Sequence, residues 1–151
     1  MPIASYPLFF DTSVYIAALL SPEGAAGELI RLAESGVIQM VVSEEVIIEI
    51  DRVLKKKYPE LIQESRRLLK HIAPEVVSNP DPEDVKPFLR KLPTADAMIL
   101  CAARQGKISA FVTWNTRDFM VSGIAELVNF PVVVPGEALK LFRKWVDSFA
   151  D

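Results

Sequence analysis

Hydrophobic positions along the chain fall into short unbroken runs separated by longer segments with helical spacing. The runs at residues 8–10, 37–42, 75–77, 110–113 and 132–134 are rich in Phe, Val, Ile and Leu and predict five strands. Helical spacing predicts helices over 12–20 and 25–34, split by Ser21-Pro22-Glu23-Gly24 and stopped by Gly36. Ser43 is placed to cap a helix whose first turn holds Glu44 and Glu45 and which runs to about Lys57. Pro59 opens another helix, reaching His71. Residues 74–93 hold five of the eleven prolines and read as a loop with one short helix. Thr94 is expected to cap a helix over 94–105 that Gly106 ends, and Pro135-Gly136 leads into a last helix over 137–149.

Three of the strand runs show no polar alternation, which suits strands buried on both faces by helices. The order predicts a single α/β domain over residues 1–151: three layers, α/β/α, around a parallel sheet of about five strands. In such sheets a functional site lies beyond the carboxyl ends of the strands. Asp11 follows the first apolar run directly, and Asn115 and Asp118 follow the run at 110–113. Asp96 lies in the first turn of a helix that continues Ala-Met-Ile-Leu-Cys-Ala-Ala and is apolar nearly all round. Two readings stand for Asp96: a first-turn acid answering the helix dipole, or a buried carboxylate that needs a partner. Glu49 sits on the edge of an apolar arc formed by Val46, Ile47, Ile50, Val53 and Leu54. It reads either as a boundary acid or as a group turned toward the same edge.

Cysteine and histidine usage narrows the chemistry. With one Cys (Cys101) and one His (His71), the chain has no internal disulfide and no Cys/His set for zinc. A Ser–His triad would have to use His71, and no Gly-x-Ser-x-Gly accompanies it. The start of the chain has no basic stretch of a secretory leader, and residues 12–22 are too short an uncharged run to span a bilayer. A cytoplasmic, membrane-free protein is therefore expected. Carboxylates gathered at one edge repel one another. A fold that gathers them needs a cation, and with oxygen donors alone Mg²⁺ or Mn²⁺ is the natural ion.

Four segments in order, FFDTSVYIAALLSP, SEEVIIEIDRVL, TADAMILCAA and FVTWNTRDF, resemble the PIN-domain family, which includes the VapC-type toxins. The resemblance runs from about Leu8 to Val134. It implies a metal-dependent endoribonuclease that hydrolyses RNA phosphodiester bonds, as the toxin of a toxin–antitoxin pair. Asp11, Glu49, Asp96 and Asp118 match the family's acidic positions, with Asn115 a further ligand candidate and Ser13 and Thr113 standing behind the ligands. Many relatives carry Asp where this chain has Asn115, which leaves open whether Asn115 or Asp118 completes the set. The resemblance also implies a small antitoxin partner and a homodimer.

Net charge is −3, from 17 Lys and Arg against 20 Asp and Glu, which by itself points away from nucleic acid. The cations are uneven, however. Residues 50–70 carry seven of them against Asp51, Glu60 and Glu64, a local +4 that reads either as an RNA-binding patch or as a solvated helical face. Arg52 belongs to that segment. Arg117 and Trp114 lie beside the strand-end acids, Trp114 either stacking on a base or packing against its own fold. Two other folds with strand-end acids fit less well. A receiver-like domain wants paired acids after its first strand and a Lys after its last. A haloacid-type phosphatase wants Asp-x-Asp where this chain has Asp11-Thr12-Ser13. A non-catalytic PIN-like scaffold that binds RNA or protein remains the main alternative to the enzyme.

Overall fold

The computed structural model describes residues 4–121 and 123–150; the two ends of the expected 1–151 domain lie outside the described residues. Within these residues five strands form one sheet: β1 (Tyr6–Phe10), β2 (Ile38–Ser43), β3 (Glu75–Val77), β4 (Ala110–Val112) and β5 (Val132–Val133). Their order is β3-β2-β1-β4-β5, and every pairing is parallel. Side chains alternate between the faces of a strand. The successive residues Leu8, Phe9 and Phe10 are nevertheless all 0% exposed, so both faces of β1 are covered. That is the expected three-layer arrangement.

Among the described residues, eight helices connect and cover the strands: α1 (Thr12–Leu20), α2 (Ala25–Glu34), α3 (Glu44–Lys57), α4 (Ile62–Ile72), α5 (Pro82–Leu89), α6 (Thr94–Gln105), α7 (Thr116–Phe119) and α8 (Pro135–Asp147). Among the described residues, no helix is long and apolar enough to cross a membrane. Ser43 caps α3 as expected, its Oγ accepting the Val46 N–H at 3.3 Å. Thr94 does not cap α6. The extended residue ahead of the helix is Pro93, and Thr94 is already helical. Pro135 opens α8 two residues earlier than expected, since a proline at the first helical position lacks only an N–H that would have no helical partner. The expected helix over 59–71 divides into a 3₁₀ turn, Pro59–Leu61, and α4.

The strand order places the site. The first strand is central, with β2 and β3 on one side and β4 and β5 on the other. The direction of winding therefore reverses between β1 and β4, and the crevice beyond their carboxyl ends is where such sheets bind ligands. Beneath it the Phe9 and Phe111 rings stack with centroids 5.1 Å apart, and Phe119 lies 4.9 Å from Phe111. Buried Phe119 anchors the single turn of α7 against β4.

Candidate active site

Asp11 leaves β1 directly at this reversal. Its N–H donates to the Val112 carbonyl at 3.0 Å, continuing the β1–β4 ladder by one residue, and the residue is only 4% exposed. Two hydroxyls meet its carboxylate at one oxygen: Thr113 Oγ1 donates to Oδ2 at 2.8 Å and Ser13 Oγ donates to Oδ2 at 2.9 Å. Each hydroxyl in turn accepts a backbone N–H of the loop after β4. Thr113 Oγ1 takes that of Asn115 at 2.8 Å, and Ser13 Oγ takes that of Trp114 at 3.0 Å. The acid of one strand end and the loop of the next are thereby joined through two side chains 100 positions apart.

Asn115 is the cap of α7. Its Oδ1 accepts the Asp118 N–H at 3.3 Å while its Nδ2 donates to Asp118 Oδ2 at 3.0 Å. Both polar ends of the amide are engaged in orienting Asp118. The pattern Asn115-x-x-Asp118 is a variant of the capping box, with the reciprocal bond made to the side chain of Asn115.

Asp96 and Glu49 approach from helices. α6 leads into the start of β4 and its twelve residues span roughly 18 Å, so its first turn lies back at the carboxyl edge. α3 departs from that same edge at the end of β2, and half-buried Glu49 is in its second turn. The electrostatics bring these acids together. Burial, then the charge of Asp11, then a hydrogen bond and charge from Asp118, and the charge of Glu49 push the Asp96 carboxyl up to about 7. Burial foremost also raises Asp11, with Glu49 adding to it, against the lowering effect of the Thr113 and Ser13 hydroxyls. Among the described residues, no lysine or arginine contributes to either shift.

Asp96 is thus within electrostatic reach of Asp11, Glu49 and Asp118, and Asp11 within reach of Glu49, while Ser13 and Thr113 hold Asp11 and Asn115 holds Asp118. The donor set is oxygen only, and no cation is among the causes of the Asp11 and Asp96 shifts, which fits a divalent cation. As the side chains stand, no three His, Cys, Asp or Glu among the described residues are grouped to hold a metal ion. Taking one up asks the carboxylates to turn inward. Sequence reasoning passed over Thr12, whose buried Oγ1 has no hydrogen-bond partner. Its only signal is a hydroxyl directly after the strand-end acid.

The expected RNA-binding residues are exposed. Arg52 follows Glu49 by one turn of α3, and Arg117 lies in α7. Trp114 is 46% exposed and does not pack into the core. The basic segment is partly consumed internally: Asp51 pairs with Lys55 at 2.8 Å and with Arg66 at 3.6 Å. A concavity of about 550 Å³ bounded by α1, α2 and α4, with Leu19, Ile30, Leu68 and His71 in its wall, lies apart from the acids, none of which lines it. Its own acids, Glu34 and Glu64, share that wall with Arg31, Arg67 and His71.

No curated protein matches the chain significantly. Among solved structures, one chain of VapBC2 from Rickettsia felis, crystallised bound to a DNA fragment from its promoter, superimposes with a TM-score of 0.62. At 16% identity the match covers 85% of this chain and 98% of that one. PAE2754 from Pyrobaculum aerophilum gives a TM-score of 0.60 at 17% identity, covering 94% of this chain and 99% of that one. At such identities the likeness is one of fold. The PIN-domain family model matches residues 7–117, from β1 into α7 and ending one residue before Asp118, and the chain belongs to the PIN-domain family.

Proposed function

We propose that this chain, as one PIN-like domain over residues 1–151, is a divalent-metal-dependent endoribonuclease of the VapC type that works in the cytoplasm. The observation that carries the reading is Asp96: a carboxyl at the opening of a buried helix, faced by three further carboxylates and raised by them, with no cation contributing. Asp11, Glu49, Asp96 and Asp118 would hold Mg²⁺ or Mn²⁺, Asp118 rather than Asn115 completing the set because both ends of the Asn115 amide are spent on Asp118. When bound, the ion supplies an acidified water and positive charge at the phosphodiester. Ser13 and Thr113 fix the Asp11 carboxylate, and Arg52 and Arg117 draw the RNA backbone to the edge. The fold likeness to VapBC2 supports a small antitoxin as partner, and the family a homodimer.

The ungrouped state of the acids favours a second reading, a non-catalytic PIN scaffold. Incubating RNA with the protein in Mn²⁺, with and without chelator, separates the two. The enzyme cuts RNA, stops when the metal is removed, and loses at least ~100-fold in rate as Asp96→Asn with its fold intact. A wild-type rate in that variant overturns the site. A folded wild-type protein that cuts nothing in Mn²⁺ favours the scaffold.

A further inference from the structure

Lys91 lies in the turn between α5 and α6, five residues before Asp96. The backbone of that turn is fixed. The Lys91 and Leu92 N–H groups both donate to the Phe88 carbonyl, at 3.1 and 3.0 Å, and Phe88 and Leu92 are buried. The lysine stem runs across Gly123, in the loop that follows α7 and five residues after Asp118. Gly123 has φ +92°, and a Cβ there would stand 3.0 Å from Lys91 Cε and 3.1 Å from Nζ. The glycine therefore serves twice: it adopts a left-handed conformation and it leaves room for the stem. Ile124, the next residue, is buried and anchors the loop.

Other lysines laid down in this way are held by acids. Lys55 pairs with Asp51, Lys86 with Glu83 and Lys140 with Glu137, each within one turn of its own helix. Lys91 pairs with no carboxylate among the described residues. It contributes to neither the Asp11 nor the Asp96 shift, so the acids of the edge do not use its charge. Ordering a long side chain costs conformational freedom, and here no ion pair offsets the cost.

The place of the ammonium indicates what it meets. The two segments that Lys91 bridges are those that carry Asp96 and Asp118 to the sheet edge. A phosphodiester brought there is repelled by acids that a metal leaves uncovered, and the phosphates on either side of it carry the same charge. A fixed ammonium beside the acids attracts one of those neighbours. It is a point charge with three donors, so it grips phosphate and reads no base.

We propose that Lys91, seated on Gly123, holds a backbone phosphate next to the scissile one and so positions the RNA strand over the acids. The proposal rests on the nuclease reading above. In it Lys91 takes no part in the chemistry, and its contact is the same before and during the reaction.

The salt dependence of binding tests it. A labelled eight-nucleotide RNA is titrated by fluorescence anisotropy into the Asp96→Asn protein, so that binding is read without turnover. Lys91→Met keeps the stem and deletes the charge. It should lower the slope of log affinity against log salt by about 0.7, the value for one phosphate contact on a single strand. Over a range from about 1 M down to about 0.05 M salt that slope amounts to a loss of about 8-fold, absent at the high end. Lys91→Arg should keep the slope, and Lys91→Met should melt as its parent does, because its stem still packs on Gly123. Gly123→Ala obstructs the seat and should lower the slope as Lys91→Met does, and the double variant should lower it no further. In the cleaving protein, Lys91→Met should raise KM about 8-fold at the low-salt end with kcat nearly constant, as for any contact made equally in ground and transition states. An unchanged slope in Lys91→Met, a loss that persists undiminished at high salt, or full additivity of the two variants overturns the proposal. If the wild-type protein cuts RNA while Lys91→Met keeps its slope, this inference falls and the nuclease reading stands. A lowered slope in a protein that cuts nothing sustains the phosphate contact and removes the nuclease reading.

Discussion

Two acidic regions lie within reach of one helix and are treated in opposite ways. Asp51 on α3 is half-buried like Glu49 but pairs with Lys55 and Arg66, and its hydrogen bond to Lys55 foremost holds its carboxyl below the ordinary value. Glu49, two residues earlier and so on another face of the helix, joins Asp11, Asp96 and Asp118, where no cation contributes and the Asp96 carboxyl is pushed up to about 7. The chain does not lack positive charge, having 17 lysines and arginines. It pairs acids where only the surface is at stake and leaves them opposed at the sheet edge. Mutual repulsion there works against folding, and a fold keeps such a feature where function requires it. The difference between the two regions reads as the space for a cation that the chain itself does not supply.

The most forceful way to break that comparison is to supply the cation at two pH values. For Asp96 the folded value of about 7 lies above the ordinary 3.8, so the folded state holds an extra proton between them. Stability of the metal-free protein should therefore fall as pH rises from about 4 to about 7 and then level off. Asp11 is shifted in the same direction. Mn²⁺ competes with those protons, so it should stabilise more at pH 8 than at pH 5. At a hundred times its dissociation constant it contributes about 2.7 kcal/mol, or roughly 5–10 °C in melting temperature. The shift should shrink in Asp11→Asn and vanish with chelator. Melting curves that Mn²⁺ moves equally at both pH values, or not at all, would remove the distinction between the edge and Asp51.

A smaller effect is expected from the support beneath the acids. Thr113 is 0% exposed, and its hydroxyl both donates to Asp11 and accepts from the Asn115 N–H. Thr113→Val keeps the shape and deletes both bonds, leaving a backbone N–H and a buried carboxylate short of partners. The expected loss is about 1–3 kcal/mol of stability and roughly 10–100-fold in cleavage or metal affinity. Thermal melts and a Mn²⁺ titration check it. A variant that melts and binds like wild type would mean that Asp11 does not depend on this hydroxyl for its position.

How far these features could be read from the residues follows from how local their causes are. Asp11 is legible because a charge ends an apolar run, and Asp96 because a carboxylate opens a helix that is apolar nearly all round. Glu49 is only half legible: a helical wheel puts it on a boundary, and what faces that boundary depends on how α3 meets the sheet. The bond from Ser13 to Trp114 has no local signature, since it exists only because β1 and β4 are neighbours. The four residues of α7 are likewise too few to stand alone and are held by Phe119 against Phe111. The role of Asn115 has no local signature for the same reason. Its amide meets Asp118 only through that turn. Thr94 misled because its type suits a cap, while the extended geometry of Pro93 had already taken the position.

The smallest effect sharpens the comparison from the other side. Asp51→Asn removes a carboxylate that is two residues from Glu49 and that lies between two cations. If acids on α3 mattered through general charge, this change should disturb cleavage as Glu49→Gln does. If position decides, this partly solvated pair loses little, because solvent already screens it and long side chains give up freedom to form it. Cleavage should stay within about twofold and melting within about 2 °C of wild type. RNA affinity should rise slightly at low salt, since Lys55 and Arg66 are released to meet phosphate, and that gain should fade as salt is added. A cleavage loss approaching that of Glu49→Gln would show the α3 acids to be interchangeable, and the unpaired edge would then have no special standing.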